Sequence, residues 1–261
     1  MNAVTTLLGQ RGRGRVDLSV TSAGVAVLRE DGSAKVRLPA GGHTAYLLNT
    51  GGGLAGGDRL DFALEARQGA RLTVTSQACE RVYRSIGPEA AVCVSLRAGP
   101  GAALHWLPQE TILYEGSALH RRFTAHVAAN ARFLAAEAIV LGRTEMGENP
   151  LSLRLRDHWR VYRDGRLAHA DEFAIDGKPP AGRAGLDGAR GFAAILAIGS
   201  EFEERLARLR EALGGSGGAS AWNGKVIARV LAKDGLELRQ RLKAALDALA
   251  AGDLPPNLWI G

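Results

Sequence analysis

The sequence predicts a mainly β protein carrying two α-helices near its C-terminus. Three observations carry that prediction. Apolar residues alternate with period two over most of the first two hundred positions. Asp-Gly pairs fall between alternating runs, where they signal hairpins. Only beyond residue 200 does the apolar spacing become helical.

Taken in order, Leu60, Phe62, Leu64 and Ala66 share one face of an extended segment, and Leu72, Val74 and Ser76 repeat the pattern. Val92, Val94, Leu96 and Ala98 follow, then Leu119, Arg121, Phe123, Ala125 and Val127 less cleanly. Leu151, Leu153, Leu155, Asp157, Trp159 and Val161 form the longest run, with Arg154, Arg156, His158, Arg160 and Tyr162 on its other face. Side chains alternate across a strand, so each run has one buried and one wet side. Hairpins are expected at Asp31-Gly32 and Asp164-Gly165. Phe202, Leu206, Leu209 and Leu213 predict a first helix, with Ser200 as its N-cap before an acidic first turn. Gly214 to Gly218 reads as a mobile, dispensable link, and Val226, Ala228 and Val230 as a strand. Leu238, Leu242, Leu246 and Leu249 predict a second helix, opened at Asp234-Gly235 and closed by Gly252 and Pro255-Pro256. One domain over 1–261 is expected: a β body over about 1–199, then a helix–strand–helix part over about 200–261.

Composition narrows the function classes. The chain has 261 residues, 34 of them glycine, without the three-residue period of collagen. Two cysteines cannot staple a secreted mini-protein, so a reducing, cytoplasmic setting is expected. No apolar run reaches the roughly 20 residues that span a bilayer, and the first residues lack the pattern of a signal peptide. The net charge of +6 rests mostly on arginine. These arginines are dispersed rather than clustered with aromatics, which argues against nucleic acid as the main partner. The Arg154-to-Arg160 face suits a negatively charged protein better.

Motifs were weighed against their context. Gly51-Gly52-Gly53-Leu54-Ala55-Gly56 satisfies G-x-G-x-x-G, but a dinucleotide loop must open a helix, and here an alternating strand follows. Gly214 to Gly218 matches G-x-S-x-G without the strand–serine–helix order of a nucleophile elbow. The six histidines are scattered, and Cys79 and Cys93 form no C-x-x-C, so no fixed metal site is predicted. Two acids stand out. Asp58 closes the glycine-rich turn, where it can cap the turn or serve a site. Glu137 interrupts the apolar run from Phe133 to Leu141; a buried carboxylate must be paired, line a hydrated cavity or bind something. Arg143 is a candidate structural partner for it.

The order of blocks then resembles one family. Asn49-Thr50-Gly51-Gly52-Gly53-Leu54-Ala55-Gly56-Gly57-Asp58 is similar to the glycine-rich signature of the urease accessory protein UreD (UreH) family. The segments Thr75 to Ser85, Leu104 to Ile112 and Glu137 to Glu148 resemble its next three blocks in the same order. Cys79 and Glu80 depart from the second block, where a small residue and a hydroxyl are expected.

The resemblance implies a strand-stacked, helix-like β architecture and a non-enzymatic role. It implies a chaperone that helps insert nickel into apo-urease, working with UreF, with the GTPase UreG through UreF, and with the urease structural subunits. Nickel(II) would pass transiently through an internal passage, with no tightly bound cofactor, membrane or nucleic acid. On the matched blocks, Asp58, Ser85, Glu137 and Glu148 become candidates for that passage. Gly51, Gly52, Gly53, Gly56 and Gly57 become the signature turn, and Arg143, Tyr83, Trp106 and Gln109 structural or orienting groups. Scattered oxygen ligands suit a conduit, which must release its ion, better than a closed cage does. The helices offer a docking surface for a helical partner. The alternative from another class is a β-rich, hydrolase-like enzyme with its site at Asp58 and Glu137.

Overall fold

The alternating runs resolve into two sheets laid face to face. The computed structural model describes residues 11–39, 43–143, 146–148, 150, 152–182, 185–255 and 258–259. The first sheet contains β1 (Arg13–Thr21), β2 (Gly24–Gly32), β5 (Arg59–Ala66), β8 (Ala90–Ala98), β11 (Ala118–Val127), β13 (Leu153–Arg163) and β14 (Arg166–Gly177). Its spatial order is β14-β13-β11-β8-β5-β1-β2. The second contains β3 (Ala34–Arg37), β4 (Thr44–Asn49), β6 (Arg71–Ser76), β9 (Ala103–Trp106), β12 (Arg132–Leu141), β15 (Gly191–Ile198), β16 (Gly217–Trp222) and β17 (Lys225–Ala232). Its order is β16-β17-β15-β12-β9-β6-β4-β3. Short strands β7 (Glu80–Val82) and β10 (Thr111–Leu113) pair with each other, and β10 also pairs with the end of β12.

From β4 to β13 the chain passes repeatedly from one sheet to the other, so each turn lays a new strand beside the last. Consequently β1, β5, β8, β11 and β13 pair in parallel, and so do β4, β6, β9 and β12. Parallel neighbours need a long crossover, usually a helix. Here the crossover is a strand of the opposite sheet, and the result is a stack of coils resembling a β-solenoid.

The interior between the sheets holds Leu60, Leu64, Leu96, Phe123, Phe133 and Trp159, all almost fully buried. A second apolar layer lies outside the second sheet, under α1 (Ser200–Glu204), α2 (Leu206–Leu213) and α3 (Gly235–Ala250). Strand β12 is therefore covered on both faces, which is why its sequence is apolar almost throughout. Helix α3 turns Leu238, Leu242, Leu246 and Leu249 onto the sheet, each contributing about 1.5–3 kcal/mol. Asp234 caps it by accepting a bond from the Glu237 amide at 2.8 Å, and the chain leaves it through a left-handed Ala251 (φ 48). No helix is long and apolar enough to cross a membrane among the described residues.

Three local expectations are corrected. Asp31-Gly32 makes no hairpin, because β2 ends there and β3 joins β4 in the other sheet. The first hairpin lies earlier, where Thr21 pairs with Gly24. Asp164-Gly165 does turn a two-residue hairpin, with φ 47 and 75, the type I′ signature. Gly214 to Gly218 is not a loose link: Gly214–Ser216 is a short 3-10 turn, and Gly217 and Gly218 begin β16, paired along β17. Asn223-Gly224 (φ 53 and 73) turns that hairpin. Ser200 does not cap the first helix but is its first residue, after Gly199, and the helix is split at Arg205 into α1 and α2.

Candidate functional site

Odd-numbered residues of β11, β12 and β13 face the space between the sheets. Arg121, Glu137 and Asp157 therefore meet in an otherwise apolar interior, with side chains 4%, 3% and 8% exposed. Arg121 donates from Nε and Nη2 to Asp157 Oδ1 and Oδ2 at 3.0 and 2.6 Å. Its Nη1 bonds Glu137 Oε2. Trp106 Nε1 donates to Glu137 Oε1 at 2.7 Å. One guanidinium thus serves two carboxylates, and with all three ionised the cluster carries a net charge of −1.

The unequal sharing sets the electrostatics. Asp157 takes the two-pronged grip, and Glu137 receives one guanidinium bond and the indole. Burial pushes Glu137 up to about 6, with Arg121 opposing the rise, Asp157 adding to it and Trp106 opposing it. On Arg121 burial acts downward, but Asp157 and Glu137 outweigh it and hold the guanidinium charged.

Two cavities meet at this cluster. The first, about 210 Å³, runs along β5, β8 and β11 and is walled by both Arg121 and Glu137. It reaches the surface beside Gly52, Gln77 and Arg81, which are exposed. The second, about 260 Å³, lies on the far side of β11 and β12 and again has Arg121 and Glu137 in its wall, together with Asp157. Its outer rim holds Arg229 and Asp171, which pair with each other. Among the described residues, no group of three or more His, Cys, Asp or Glu is placed to hold a metal ion.

Of the four residues expected on a passage, the structure puts only Glu137 in these walls. Asp58 sits at the end of the signature turn, where Oδ1 accepts from the Gly12 amide at 2.6 Å and Oδ2 from the Ala55 amide at 2.8 Å. Ser85 donates to the Pro88 carbonyl at 2.8 Å. Glu148 accepts from the Arg143 amide and Nε at 2.9 and 3.0 Å. Arg143 is thus the partner of Glu148, not of Glu137; Arg121, reaching across the interior from the facing sheet, takes that place. Asp58 and Glu137 do not form one site, since Asp58 lines neither cavity.

The signature turn shapes the first mouth. Gly53 has φ 146, and a Cβ there would lie 2.4 Å from the Tyr83 ring. Tyr83 closes over the turn by donating to the Gly52 carbonyl at 2.9 Å. Gly56 admits Ser85, whose Oγ would lie 2.1 Å from an added Cβ. Gly51 donates to Asn49 Oδ1, and Gly57 lies under Arg11 with φ 88. Gln109 donates to the Ser76 and Gln77 carbonyls and accepts from Arg239 of α3, tying the helix layer to the mouth. Trp106 acts directly on Glu137.

Sequence reasoning missed Arg121, Asp157 and Glu80 as site residues. The first two carried a signal: each is a charge inside an inward, apolar alternation. Glu80 carried none. It lines the first cavity, accepts from Asn49 Nδ2 at 3.2 and 3.3 Å, and burial pushes it up to about 7.

Fold and site together define the class, a stacked-coil β scaffold with an ionised, cavity-lined interior. The family model described as UreD urease accessory protein matches residues 10–259. A protein named urease accessory protein UreD from Chelativorans sp. (strain BNC1) is 46% identical, over 95% of this chain and 93% of its own length. Proteins of the same name from Rhizobium rhizogenes and Agrobacterium fabrum are 43% and 42% identical, over 96% and 95% of this chain and 96% and 90% of their own lengths. The chain belongs to the UreD urease accessory protein family.

Proposed function

We propose that the chain serves urease maturation as a cytoplasmic chaperone that helps insert nickel into apo-urease. It acts in a complex with UreF and, through UreF, the GTPase UreG, and it offers nickel a route through its β body. Two surface-reaching cavities that share one buried cluster of net charge −1 carry this reading. A hydrated dication entering a low-dielectric interior needs compensating negative charge. The excess carboxylate supplies it, and burial holds Glu137 above the ordinary carboxylate range. Nickel(II) accepts oxygen ligands when sulfur is absent, and two carboxylates without a preassembled cage favour transfer over retention. Glu80 at the first mouth and Asp171 at the second extend the oxygen-lined route.

Glu137→Gln tests the reading without dismantling the fold. It keeps the acceptor for Trp106 and leaves Arg121 balanced by Asp157, so the cluster becomes neutral. The expected result is a folded protein that forms its complexes yet supports little nickel-dependent urease activation in cells lacking the native chain. Full activation by a folded Glu137→Gln protein would remove the cluster from the mechanism.

A further inference from the structure

The outward face of β8, β11 and β13 is unlike the rest of the surface. Its outward positions are Ala91, Cys93, Ser95 and Arg97 on β8, His120, Arg122, Thr124 and His126 on β11, and Arg154, Arg156, His158, Arg160 and Tyr162 on β13. No carboxylate stands among them. Arg122, Arg154 and Arg156 are exposed and make no ion pair among the described residues. Register places Arg156 beside His120 and Arg122 beside His158, and the two imidazoles meet edge to face with centroids 5.2 Å apart. Such a block of unpaired guanidiniums repels itself, which disfavours the isolated state.

The β14 flank has the opposite charge. The cross-strand row through Arg122 runs Asp61, Cys93, Arg122, His158, Glu172. On the β5 border Arg59 holds Asp61 in a two-pronged pair at 2.7 and 2.6 Å, so that side is balanced. On the β14 border Glu172 stands beside His158 and Asp176 beside Arg154, and neighbouring strands lie about 4.8 Å apart, so these carboxylates lie within roughly one Debye length of the basic strip. We propose that this strip is a docking surface for a protein partner presenting a cluster of carboxylates with basic side chains along one edge. The carboxylates along the β14 edge favour such a surface over a polyphosphate chain, whose charges would meet Glu172 and Asp176 there. The inference stands apart from the nickel route, which lies on the other face of the same strands.

Docking of carboxylates would also draw protons. Burial, then Arg122, His158 and Arg156, hold His120 below its ordinary value, with Glu89 alone opposing them, and Glu172 faces His158 with Oε2 3.4 Å from Nδ1. Added negative charge reverses that bias, so binding tightens as pH falls from about 8 to 6.

The test follows the imidazole C–H resonances of His120 and His158 in the full-length chain during titration with the peptide Lys-Glu-Glu-Glu-Lys, a single-stranded oligonucleotide, or anionic lipid vesicles. The peptide is expected to move both resonances and to raise the pH at which His120 titrates. Arg122→Glu with Arg156→Glu, both at exposed positions, should weaken the effect at least tenfold while the unfolding midpoint does not fall. Resonances unmoved by the peptide would overturn the proposal. So would equal peptide binding by the double variant, or tighter binding of the oligonucleotide or vesicles.

Discussion

Arg121→Met is the most exacting perturbation of the interior. It preserves much of the side-chain volume but removes three bonds: two to Asp157 at 3.0 and 2.6 Å, and the one to Glu137. The cluster goes from a net −1 to −2, with both carboxylates more than nine-tenths buried. Breaking one buried pair costs about 3–5 kcal/mol. Two orphaned carboxylates place this variant at the upper end of that range, against a total stability of about 5–15 kcal/mol for a domain. The pH dependence gives the mechanism its signature. Loss of the guanidinium, which opposes the rise in the wild type, raises the folded-state titration of Glu137 further above its unfolded value near 4. The folded variant then binds more protons than the unfolded chain, so the charge-dependent part of its deficit is absent below pH 4 and grows as pH rises through the raised value. The slope is up to about 1.4 kcal/mol per pH unit for Glu137. Urea unfolding of wild type and variant between pH 4.5 and 8 reads this directly. A difference under about 1 kcal/mol at pH 7.5, or one independent of pH, would refute the account of the cluster as one cation holding two buried anions.

Other consequences are simpler. Glu80 is pushed up to about 7 by burial, so the wild type loses stability as pH rises from about 4.3 to 7, by an amount on the order of 3 kcal/mol; Glu80→Gln should flatten that decline in urea midpoints at pH 5 and 8. Gly56→Ala would set a methyl 2.1 Å from Ser85 Oγ and 2.8 Å from the Pro88 carbonyl, costing about 1–3 kcal/mol; adding Ser85→Gly should recover part of it, and a neutral Gly56→Ala would contradict the packing of the signature turn. Asp234→Ala removes the cap of α3 and should cost about 1 kcal/mol, seen as a lower thermal midpoint with the helical signal largely retained.

Strands were legible because their faces differ. On β5 and β13 every second residue meets an apolar interior, and the alternation records it. The coiled stacking was less legible, because the register partners Arg59, Ala91, His120 and Arg156 are unevenly spaced along the chain, and no fixed repeat results. Hairpin signals were ambiguous for a different reason. Asp-Gly supplies the left-handed backbone a hairpin needs, but Gly32 uses it (φ 57) to cross between sheets. The glycines after α2 looked like a linker because a strand of small residues carries no periodic signal of its own.

The sequence by itself determined which residues turn inward, where the helices lie and that Glu137 could not stand alone in its apolar run. Local pattern suffices for these, because burial on a strand or helix repeats every second residue or every third to fourth. What answers Glu137 was decided only by tertiary structure. Arg121 meets Glu137 across the interior from the facing sheet, and Asp157 joins them because parallel register lays β13 beside β11. The same stacking makes two cavities from residues scattered between Leu47 and Leu231. An enclosed space is set by how coils close over one another, which no single segment encodes.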